Sequence, residues 1–240
     1  HPGDMVSILG CNGCGKSVLL KVMTGNLKPL SGTVEIAGCP VSSYTAKNLA
    51  GTLAFLPQYP EIPADMLVGE LVACGRYPYQ RWWKPVSEKD KEVVRDAMKK
   101  TNTYELRDRT VASLSGGERQ RVWIAMDLAQ EPHILILDEP TTYLDICHQL
   151  EIMDLIRDLN RKEHITVVMV IHDLNHACRY SDRVFILKDG LIKASGQPDD
   201  VIRSEIISDV FQVDAEVEQK DSRPYIYIRG LERKRKQPEK

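Results

Sequence analysis

Blocks of apolar and polar residues alternate along this chain, and they predict alternating strands and helices. Residues 5–9, 134–137 and 165–171 form short runs that are almost wholly apolar. Such runs are typical of strands in a parallel sheet that is covered on both faces. Residues 144–160 have helical spacing, and residues 118–130 pass from polar to apolar as a helix entering a core does. The order of these elements predicts an α/β fold with a parallel sheet.

Other strands are predicted from alternation and from turn residues. Residues 33–37 alternate as a half-exposed strand, and residues 52–56 form a strand that ends at Pro57-Gln58. Gln58 therefore places a polar amide at a strand end. Residues 183–187 and 191–194 flank Asp189-Gly190, a dipeptide that favours a tight hairpin.

The strand pattern disappears between residues 59 and 113. Helices are predicted at residues 66–74 and 88–100, the second opened by a capping pair of Ser87 and Asp90. We interpret residues 59–113 as a mostly helical insertion. The aromatic cluster within residues 75–83 fits either core packing or a surface that docks a partner.

The domain organisation follows from this change of pattern. Residues 1–58 and 114–215 are predicted to form one core interrupted by the insertion, and the charged residues 230–240 a disordered tail. The 240-residue chain has 42% hydrophobic and 28% charged residues, as an ordinary globular protein does. Its net charge of −2 gives no sign of a nucleic-acid partner. The apolar runs are far shorter than the roughly 20 residues that span a bilayer, and the first leads straight into a glycine-rich loop rather than a secretory cleavage site.

A glycine-rich loop between the first predicted strand and helix fits the phosphate-binding pattern of a glycine, four residues, then Gly-Lys-Ser. Its glycines allow backbone N–H groups to approach phosphate oxygens at a helix N-terminus. Lys16 would neutralise the β- and γ-phosphates, and the Ser17 hydroxyl would ligate Mg²⁺. The alternative is a glycine-rich turn that binds nothing. The candidate nucleotide contacts are Gly10, Cys11, Asn12, Gly13, Cys14, Gly15, Lys16, Ser17 and Val18.

Two of the six cysteines lie inside this loop. Cys11 and Cys14 have the spacing of a redox or metal-binding pair. Since the other four are scattered without a disulfide-framework spacing, we interpret all six as reduced thiols of a cytosolic protein. A thiol beside Lys16 would nevertheless be sensitive to oxidation.

The buried strand at residues 134–137 is followed by two acidic residues, Asp138 and Glu139. Ligands of parallel sheets lie beyond the carboxyl ends of the strands, where these side chains and His172 fall. Asp138 would hold Mg²⁺ directly or through water, and Glu139 would accept a proton from the attacking water. The alternative is that the pair only caps the next helix.

Residues 114–120, Leu-Ser-Gly-Gly-Glu-Arg-Gln, narrow the class of nucleotide-binding protein that the sequence predicts. Ser115 and Glu118 form a capping box that any helix could use. Gly116 and Gly117 each cost about 1 kcal/mol in a helix, which a cap alone does not explain. Their bare N–H groups at a helix N-terminus suit a phosphate.

Together these motifs resemble the ATP-binding subunits of ABC transporters. The resemblance covers nearly the whole chain, and the motifs follow the family's order from the phosphate loop to His172. It implies a P-loop NTPase core of the RecA-like type that binds ATP and Mg²⁺. It also implies that Gln58 senses Mg²⁺ and the water, while His172 holds the γ-phosphate and orients the water.

The resemblance also implies partners. Ser115, Gly116 and Gly117 would contact the ATP held by a second copy, with Asp145 at the interface of a head-to-tail homodimer. Residues 59–113 would transmit motion to an integral membrane permease, which receives its cargo from a substrate-binding protein. The chain would then lie peripherally at the cytoplasmic face of the membrane.

Three segments resemble more specifically the branch that imports ferric siderophores, haem and vitamin B12: residues 53–58, 75–79 and 141–146. Departures from the family occur at Cys11, Cys14 and Val18, where proline, serine and threonine are usual. The family's adenine-stacking aromatic and first antiparallel strands lie upstream of the phosphate loop, and this sequence does not contain them. Two alternatives are a soluble ABC-type ATPase acting on ribosomes or DNA, and a nucleotide kinase.

Overall fold

The computed structural model describes residues 1–60, 65–80 and 86–232. Within these ranges the chain forms ten strands and nine α-helices. The strands are β1 (Met5–Gly10), β2 (Glu35–Ile36), β3 (Cys39–Pro40), β4 (Leu53–Leu56), β5 (Ile134–Asp138), β6 (Thr166–Val170), β7 (Arg183–Lys188), β8 (Leu191–Gly196), β9 (Val213–Lys220) and β10 (Arg223–Leu231). The helices are α1 (Lys16–Met23), α2 (Ala46–Ala50), α3 (Val68–Cys74), α4 (Glu88–Lys100), α5 (Gly116–Leu128), α6 (Ile146–Glu163), α7 (Leu174–Tyr180), α8 (Pro198–Val201) and α9 (Ser204–Phe211).

The chain divides into two compact units, residues 1–4 with 17–170 and residues 5–16 with 171–240. In the first unit β5 pairs in parallel with both β4 and β6. Leu135, Ile136 and Leu137 of β5 are almost completely buried. The continuous apolar runs are therefore strands covered on both faces, as the sequence predicts.

A buried arginine ties together three helices of the first unit. Arg76, just after α3, donates from Nε to Asp90 of α4 at 2.9 Å and from Nη1 to the Ala129 carbonyl, just after α5, at 2.8 Å. Its guanidinium also lies 4.0 Å from the ring centroid of Tyr79. The hydrogen bond from Ser87 and then the Arg76 charge lower the pKa of Asp90. The ends of α3 and α5 and the start of α4 are thus held by one side chain.

In the second unit β1 pairs in parallel with β7, and β7 pairs with β8 as an antiparallel hairpin. The hairpin turns at Asp189 and Gly190, whose φ values of 50° and 79° are those of a type I′ turn. The hairpin prediction is confirmed. The antiparallel pair β9 and β10 follows helices α8 and α9.

Several boundaries differ from those predicted. The helix predicted from residue 118 begins at Gly116, and the strand predicted at residues 33–37 is only Glu35–Ile36, because β3 offers just two residues to pair with it. Helices α2, α7, α8 and α9 and strands β3, β9 and β10 were not predicted from the sequence, and residues 38–40 were interpreted as a turn. The predicted tail begins inside β10, and its residues 233–240 lie outside the described residues, as do residues 81–83 of the aromatic cluster. Among the described residues, none of the helices combines the length and apolar character needed to cross a membrane.

Candidate nucleotide site

The phosphate loop occupies residues 11–15, between the end of β1 and the start of α1. The Cys14 N–H donates to the Cys11 carbonyl at 3.3 Å, which closes a tight turn. The Gly190 N–H donates to the Cys14 carbonyl at 3.2 Å, so the hairpin turn of β7 and β8 braces the loop. Cys11, Asn12 and Gly13 are exposed.

Gly10, at the end of β1, has no room for a side chain. A Cβ atom there would lie 2.5 Å from the Leu187 carbonyl oxygen and 2.6 Å from the Cys14 Sγ atom. The first glycine of the motif therefore allows the loop to pack closely on β7. Gly13 and Gly15 have φ values of 78° and 102°, which let the chain curve between strand and helix.

Lys16 is folded back over this loop. The residue is only 6% exposed. Its Nζ atom donates to the Gly10 and Cys11 carbonyls at 2.7 Å and 2.9 Å. These two carbonyl contacts hold the ammonium where phosphate oxygens could replace them. The next two residues, Ser17 and Val18, are exposed.

Gln58 and Glu139 meet beyond the ends of β4 and β5. The Gln58 Nε2 atom donates to Glu139 Oε2 at 2.5 Å, and the Thr142 hydroxyl donates to the same oxygen at 3.0 Å. Glu139 has a left-handed φ of 54°, uncommon outside glycine, and its N–H donates to the Val170 carbonyl at 3.0 Å. The parallel sheet thus brings together two side chains that are 81 residues apart.

Asp138 is the last residue of β5 and is 7% exposed. A buried carboxylate at a strand end and the Ser17 hydroxyl are hard oxygen donors of the kind that Mg²⁺ prefers. No group of three or more His, Cys, Asp or Glu side chains suited to a metal occurs in the parts of the chain that the structure describes. One or two protein ligands nevertheless fit an ion that phosphates and waters otherwise coordinate. The donor set therefore fits Mg²⁺.

The turn Ser115–Glu118 opens α5 as a reciprocal capping box. The Ser115 N–H donates to Glu118 Oε2 at 2.8 Å, and the Glu118 N–H donates to the Ser115 hydroxyl at 3.3 Å. The Ser115 N–H and then its hydroxyl lower the pKa of Glu118. Ser115 and Gly116 are exposed, whereas Gly117 is buried.

Gly117 is a glycine for a reason that the sequence analysis missed. A Cβ atom there would lie 2.4 Å from the Cδ2 atom of His148. The imidazole also lies with its Nδ1 atom 2.8 Å from Asp145 Oδ1, which accepts the His148 N–H at 2.9 Å as the cap of α6. These hydrogen bonds, the backbone one first, lower the pKa of Asp145. His148 therefore bonds to Asp145 and packs against Gly117 in the Ser115–Glu118 turn, which we call the signature turn.

A pair of tyrosines connects the two segments that carry Gln58 and Asp145. The Tyr59 and Tyr143 hydroxyls are 2.8 Å apart, and this hydrogen bond raises the pKa of Tyr59. Tyr143 is 83% exposed and has a left-handed φ of 64°. Thr142 and Tyr143 lie in the segment 141–146 that the sequence analysis singled out, although no role was given to them there. The only signal for His148 was its proximity in sequence to Glu139 and Asp145.

His172 belongs to the second unit, two residues after β6 ends. It is exposed, and Asp173 after it caps α7 through the His176 N–H at 2.9 Å. The described contacts thus bring Gln58 to Glu139, bring Asp145 to Gly117 through His148, and hold Lys16 on its own loop.

A phosphate loop after one parallel strand and a buried aspartate at the end of another define the class of P-loop nucleotide hydrolases. A family model described as "ABC transporter" matches residues 1–142. The chain belongs to this family. It is an ATP-binding protein whose ATP hydrolysis is coupled to transport.

Similar proteins are known in sequence and in structure. The chain is 48% identical over 217 residues to the "Probable siderophore transport system ATP-binding protein YusV" of Bacillus subtilis (strain 168), covering 90% of this chain and 79% of that one. An ABC transporter solved in an inward-facing conformation matches with a TM-score of 0.83 and 28% identity, over 96% of this chain and 87% of that one. The dimeric bacterial ABC transporter cassette MJ0796 matches with a TM-score of 0.71 and 29% identity, over 82% and 86%.

Proposed function

We propose that this chain is the ATPase subunit of an importer for an iron–siderophore or related chelate. The likeness to YusV and the three segments at residues 53–58, 75–79 and 141–146 support this cargo class. The observation that carries the ATPase assignment is the hydrogen bond between Gln58 and Glu139. A carboxylate held at the end of a buried strand by an amide from the neighbouring strand is placed to polarise a water.

In this proposal Glu139 accepts the proton of the attacking water, and Gln58 and His172 orient that water. Lys16 exchanges its two backbone carbonyl contacts for the β- and γ-phosphate oxygens of ATP. Ser17, Asp138 and Gln58 would hold Mg²⁺, which when bound neutralises charge on the phosphates. A well-placed general base contributes about 10² to 10⁴ in rate.

We also propose that the active form is a head-to-tail homodimer. Ser115 and Gly116 are exposed at the start of α5, and the capping box fixes their backbone. In the dimer they and Gly117 contact the γ-phosphate of ATP bound to the partner, while Asp145 lies at the interface. The dimeric state of the similar cassette MJ0796 supports this arrangement.

The insertion at residues 59–113 is proposed to contact a membrane permease. Tyr77 and Tyr79 in its described part are 66% and 42% exposed, as a docking surface requires. The chain would act peripherally at the cytoplasmic face of the membrane, and a substrate-binding protein would deliver the chelate to the permease.

The test is the oligomeric state of the Glu139→Gln variant, measured by size exclusion with light scattering in Mg²⁺-ATP and in Mg²⁺-ADP. We expect a dimer with ATP and a monomer with ADP, because the variant binds ATP without hydrolysing it. The Thr142→Val variant, which loses only the second hydrogen bond to Glu139, is the matched control and should hydrolyse ATP and return to monomer. A Glu139→Gln chain that stays monomeric in ATP, although ATP raises its melting temperature, would contradict the dimer.

The cargo class needs a separate measurement. Uptake of radioactive ferric siderophore by cells that express the chain with a ferric-siderophore permease and its substrate-binding protein should be lost with Glu139→Gln. Co-purification of the chain with ribosomes rather than with a membrane protein would favour a soluble ABC-type ATPase instead.

A further inference from the structure

The phosphate loop carries two thiols that the proposed ATPase chemistry does not use. Cys11 and Cys14 are the first and fourth residues of one tight turn, which the 3.3 Å hydrogen bond from the Cys14 N–H to the Cys11 carbonyl closes. A turn of this kind brings its first and fourth α-carbons within about 7 Å of each other. Disulfides bridge α-carbons that are about 4.4–6.8 Å apart. The turn therefore presents its cysteines at a separation that a disulfide can bridge.

The two thiols differ in access. Cys14 is 6% exposed, and its Sγ atom lies 2.6 Å from the position that a Cβ atom on Gly10 would take. That thiol is thus beside the residue that precedes Cys11. Cys11, in contrast, is an exposed residue, and its Sγ atom donates to the Val210 carbonyl at 2.9 Å. Cys11 can react with a molecule from solvent, whereas Cys14 is buried at the other end of the same four-residue turn.

No other pair of cysteines in the chain has this arrangement. All six cysteines lie within the described residues and are free thiols. Cys39 and Cys147 are exposed but far apart in sequence. Burial raises the pKa of the Cys178 thiol to about 12, which keeps it protonated and unreactive.

We propose that Cys11 and Cys14 form a modification site at which a low-molecular-weight disulfide oxidises the phosphate loop to an intrachain disulfide. The Cys11 thiolate attacks one sulfur of the small disulfide, which forms a mixed disulfide and releases one small thiolate. The Cys14 thiolate then attacks the Cys11 sulfur, which forms the Cys11–Cys14 bond and releases the second small thiolate. Two protein thiols are oxidised by two electrons, the small disulfide is reduced to two thiols, and the two cysteine protons pass to the released thiolates.

The disulfide would restrain the part of the loop that has to adapt to a nucleotide. Its formation moves the Cys11 Sγ atom away from the Val210 carbonyl and draws the two Cβ atoms to about 3.5–4.5 Å. Lys16 is bonded to the Cys11 carbonyl at 2.9 Å and has to leave it to reach phosphate oxygens. This consequence rests on the proposed function, whereas formation of the disulfide does not. Because misplacement of reacting groups by about 1 Å can cost about 10²-fold, we expect at least about a tenfold loss of ATP turnover.

The experiment treats the full chain with oxidised glutathione, blocks the remaining thiols with iodoacetamide and analyses tryptic peptides by mass spectrometry. Residues 1–15 contain no lysine or arginine, so trypsin releases both cysteines in one peptide that ends at Lys16. We expect this peptide to lack two hydrogen atoms and both alkyl groups, and dithiothreitol to reverse the change. The Cys39→Ser variant, which lacks an exposed thiol elsewhere, should behave as the wild type does.

ATP turnover is measured on the same samples before and after oxidation. The ratio of the two rates should fall at least about tenfold in the wild type and in Cys39→Ser, but stay within about twofold in Cys11→Ser, which lacks the attacking thiol and retains only the buried one. A stable mixed disulfide on Cys11, or alkylation of both thiols, would overturn the proposed site. A bridged peptide with unchanged turnover would overturn its effect on the nucleotide. If the reduced chain does not hydrolyse ATP, the proposed function fails, but the peptide mass still decides whether the disulfide forms.

Discussion

The two helices that begin in glycine-rich turns, α1 and α5, use glycine for different physical reasons. In the loop before α1, Gly13 and Gly15 have φ values of 78° and 102°, and apart from the adjoining residues no atom of the described residues lies within 4 Å of where their Cβ atoms would be. At the start of α5, Gly117 has an ordinary helical backbone conformation, but a side chain there would collide with His148. The first turn needs glycine for its backbone conformation, and the second needs it so that another helix can approach closely.

The two turns also differ in how their polar side chains are bonded. In the α5 turn, Ser115 and Glu118 satisfy each other within the capping box. In the loop before α1, the ammonium of Lys16 provides the interaction by bonding to two backbone carbonyls. A lysine can exchange such contacts for those of a ligand, whereas the capping box keeps its geometry. We therefore expect changes in the first turn to affect nucleotide binding by the chain itself, and changes in the second to affect packing as well as the proposed contact with the partner's ATP.

The largest effect is expected from Lys16→Ala. Loss of the ammonium removes charge stabilisation of the phosphates, so ATP turnover should fall by roughly 10² to 10³. Lys21→Ala, a change of the same type in the last turn of the same helix, should leave the rate within about twofold. Steady-state hydrolysis with a coupled assay measures both rates. Comparable losses in the two variants would mean that the effect is not specific to the loop.

The next effect concerns the interior of α5. Asp127 is completely buried, and neither carboxyl oxygen has a hydrogen-bond partner among the described residues. Burial raises its pKa from 3.8 to about 8. Because the folded state binds this proton more tightly than the unfolded state, the free energy of unfolding should fall as the pH rises from about 4 to about 8. The fall should amount to a few kcal/mol, at about 1.4 kcal/mol per pKa unit.

Asp127→Leu should remove this pH dependence and raise the melting temperature at pH 8. Differential scanning calorimetry at pH 5, 6.5 and 8 measures the melting temperature of each variant. Asp96→Leu, on the exposed side of α4, is the control. Equal slopes of melting temperature against pH in the wild type and Asp127→Leu would show that Asp127 is not the titrating group.

A smaller effect is expected from Gly117→Ala. Alanine would favour the helix by about 1 kcal/mol, but the contact with His148 should cost about 1–3 kcal/mol. The net loss of stability should disappear in the double variant Gly117→Ala with His148→Ala, which urea unfolding would measure. Gly13→Ala is strained by its backbone conformation instead, so no neighbouring truncation should rescue it. Failure of the double variant to recover would mean that His148 is not the obstacle.

The smallest effect is expected from Ser115→Ala. Loss of the side-chain cap should reduce the free energy of unfolding by about 1 kcal/mol. Ser113→Ala, two residues earlier and outside the capping box, is the control. Urea titrations in nucleotide-free buffer give both values. A Ser115→Ala chain as stable as the wild type would show that the 3.3 Å hydrogen bond to the Glu118 N–H contributes little.

The sequence predicted the parts of this molecule whose pattern is local or continuous. The parallel strands β5 and β6, helix α4 and the hairpin at Asp189-Gly190 follow directly from apolar runs, a capping box and a turn dipeptide. Helices α8 and α9 have only 4 and 8 residues, and β9 and β10 are joined by a turn at Asp221 and Ser222 that contains no glycine to mark a hairpin, so no local pattern predicted them. The phosphate loop and signature were found because their residues are contiguous.

Contacts between distant residues could not be predicted in the same way. Gln58 and Glu139 were each proposed for the site, but only the parallel pairing of β4 with β5 shows that they bond to each other. The role of His148 depends on how α6 packs against α5, which no local pattern encodes. Gly117 was therefore assigned to phosphate contact alone, whereas its burial against His148 gives it a structural reason as well.

The Arg76 cluster has a mechanical consequence. With 13 residues, α5 is about 20 Å long, its signature turn at one end and the Ala129 carbonyl that Arg76 holds just beyond the other. Since the same guanidinium holds Asp90 at the start of α4, the C-terminal end of α5 is attached to α4 of the proposed insertion. A tilt of about 10° around the signature end would displace the fastened end by roughly 3 Å. A small rotation of α5 at the Ser115–Glu118 turn would thus become a translation of the proposed insertion, transmitted through the buried ion pair of Arg76 and Asp90.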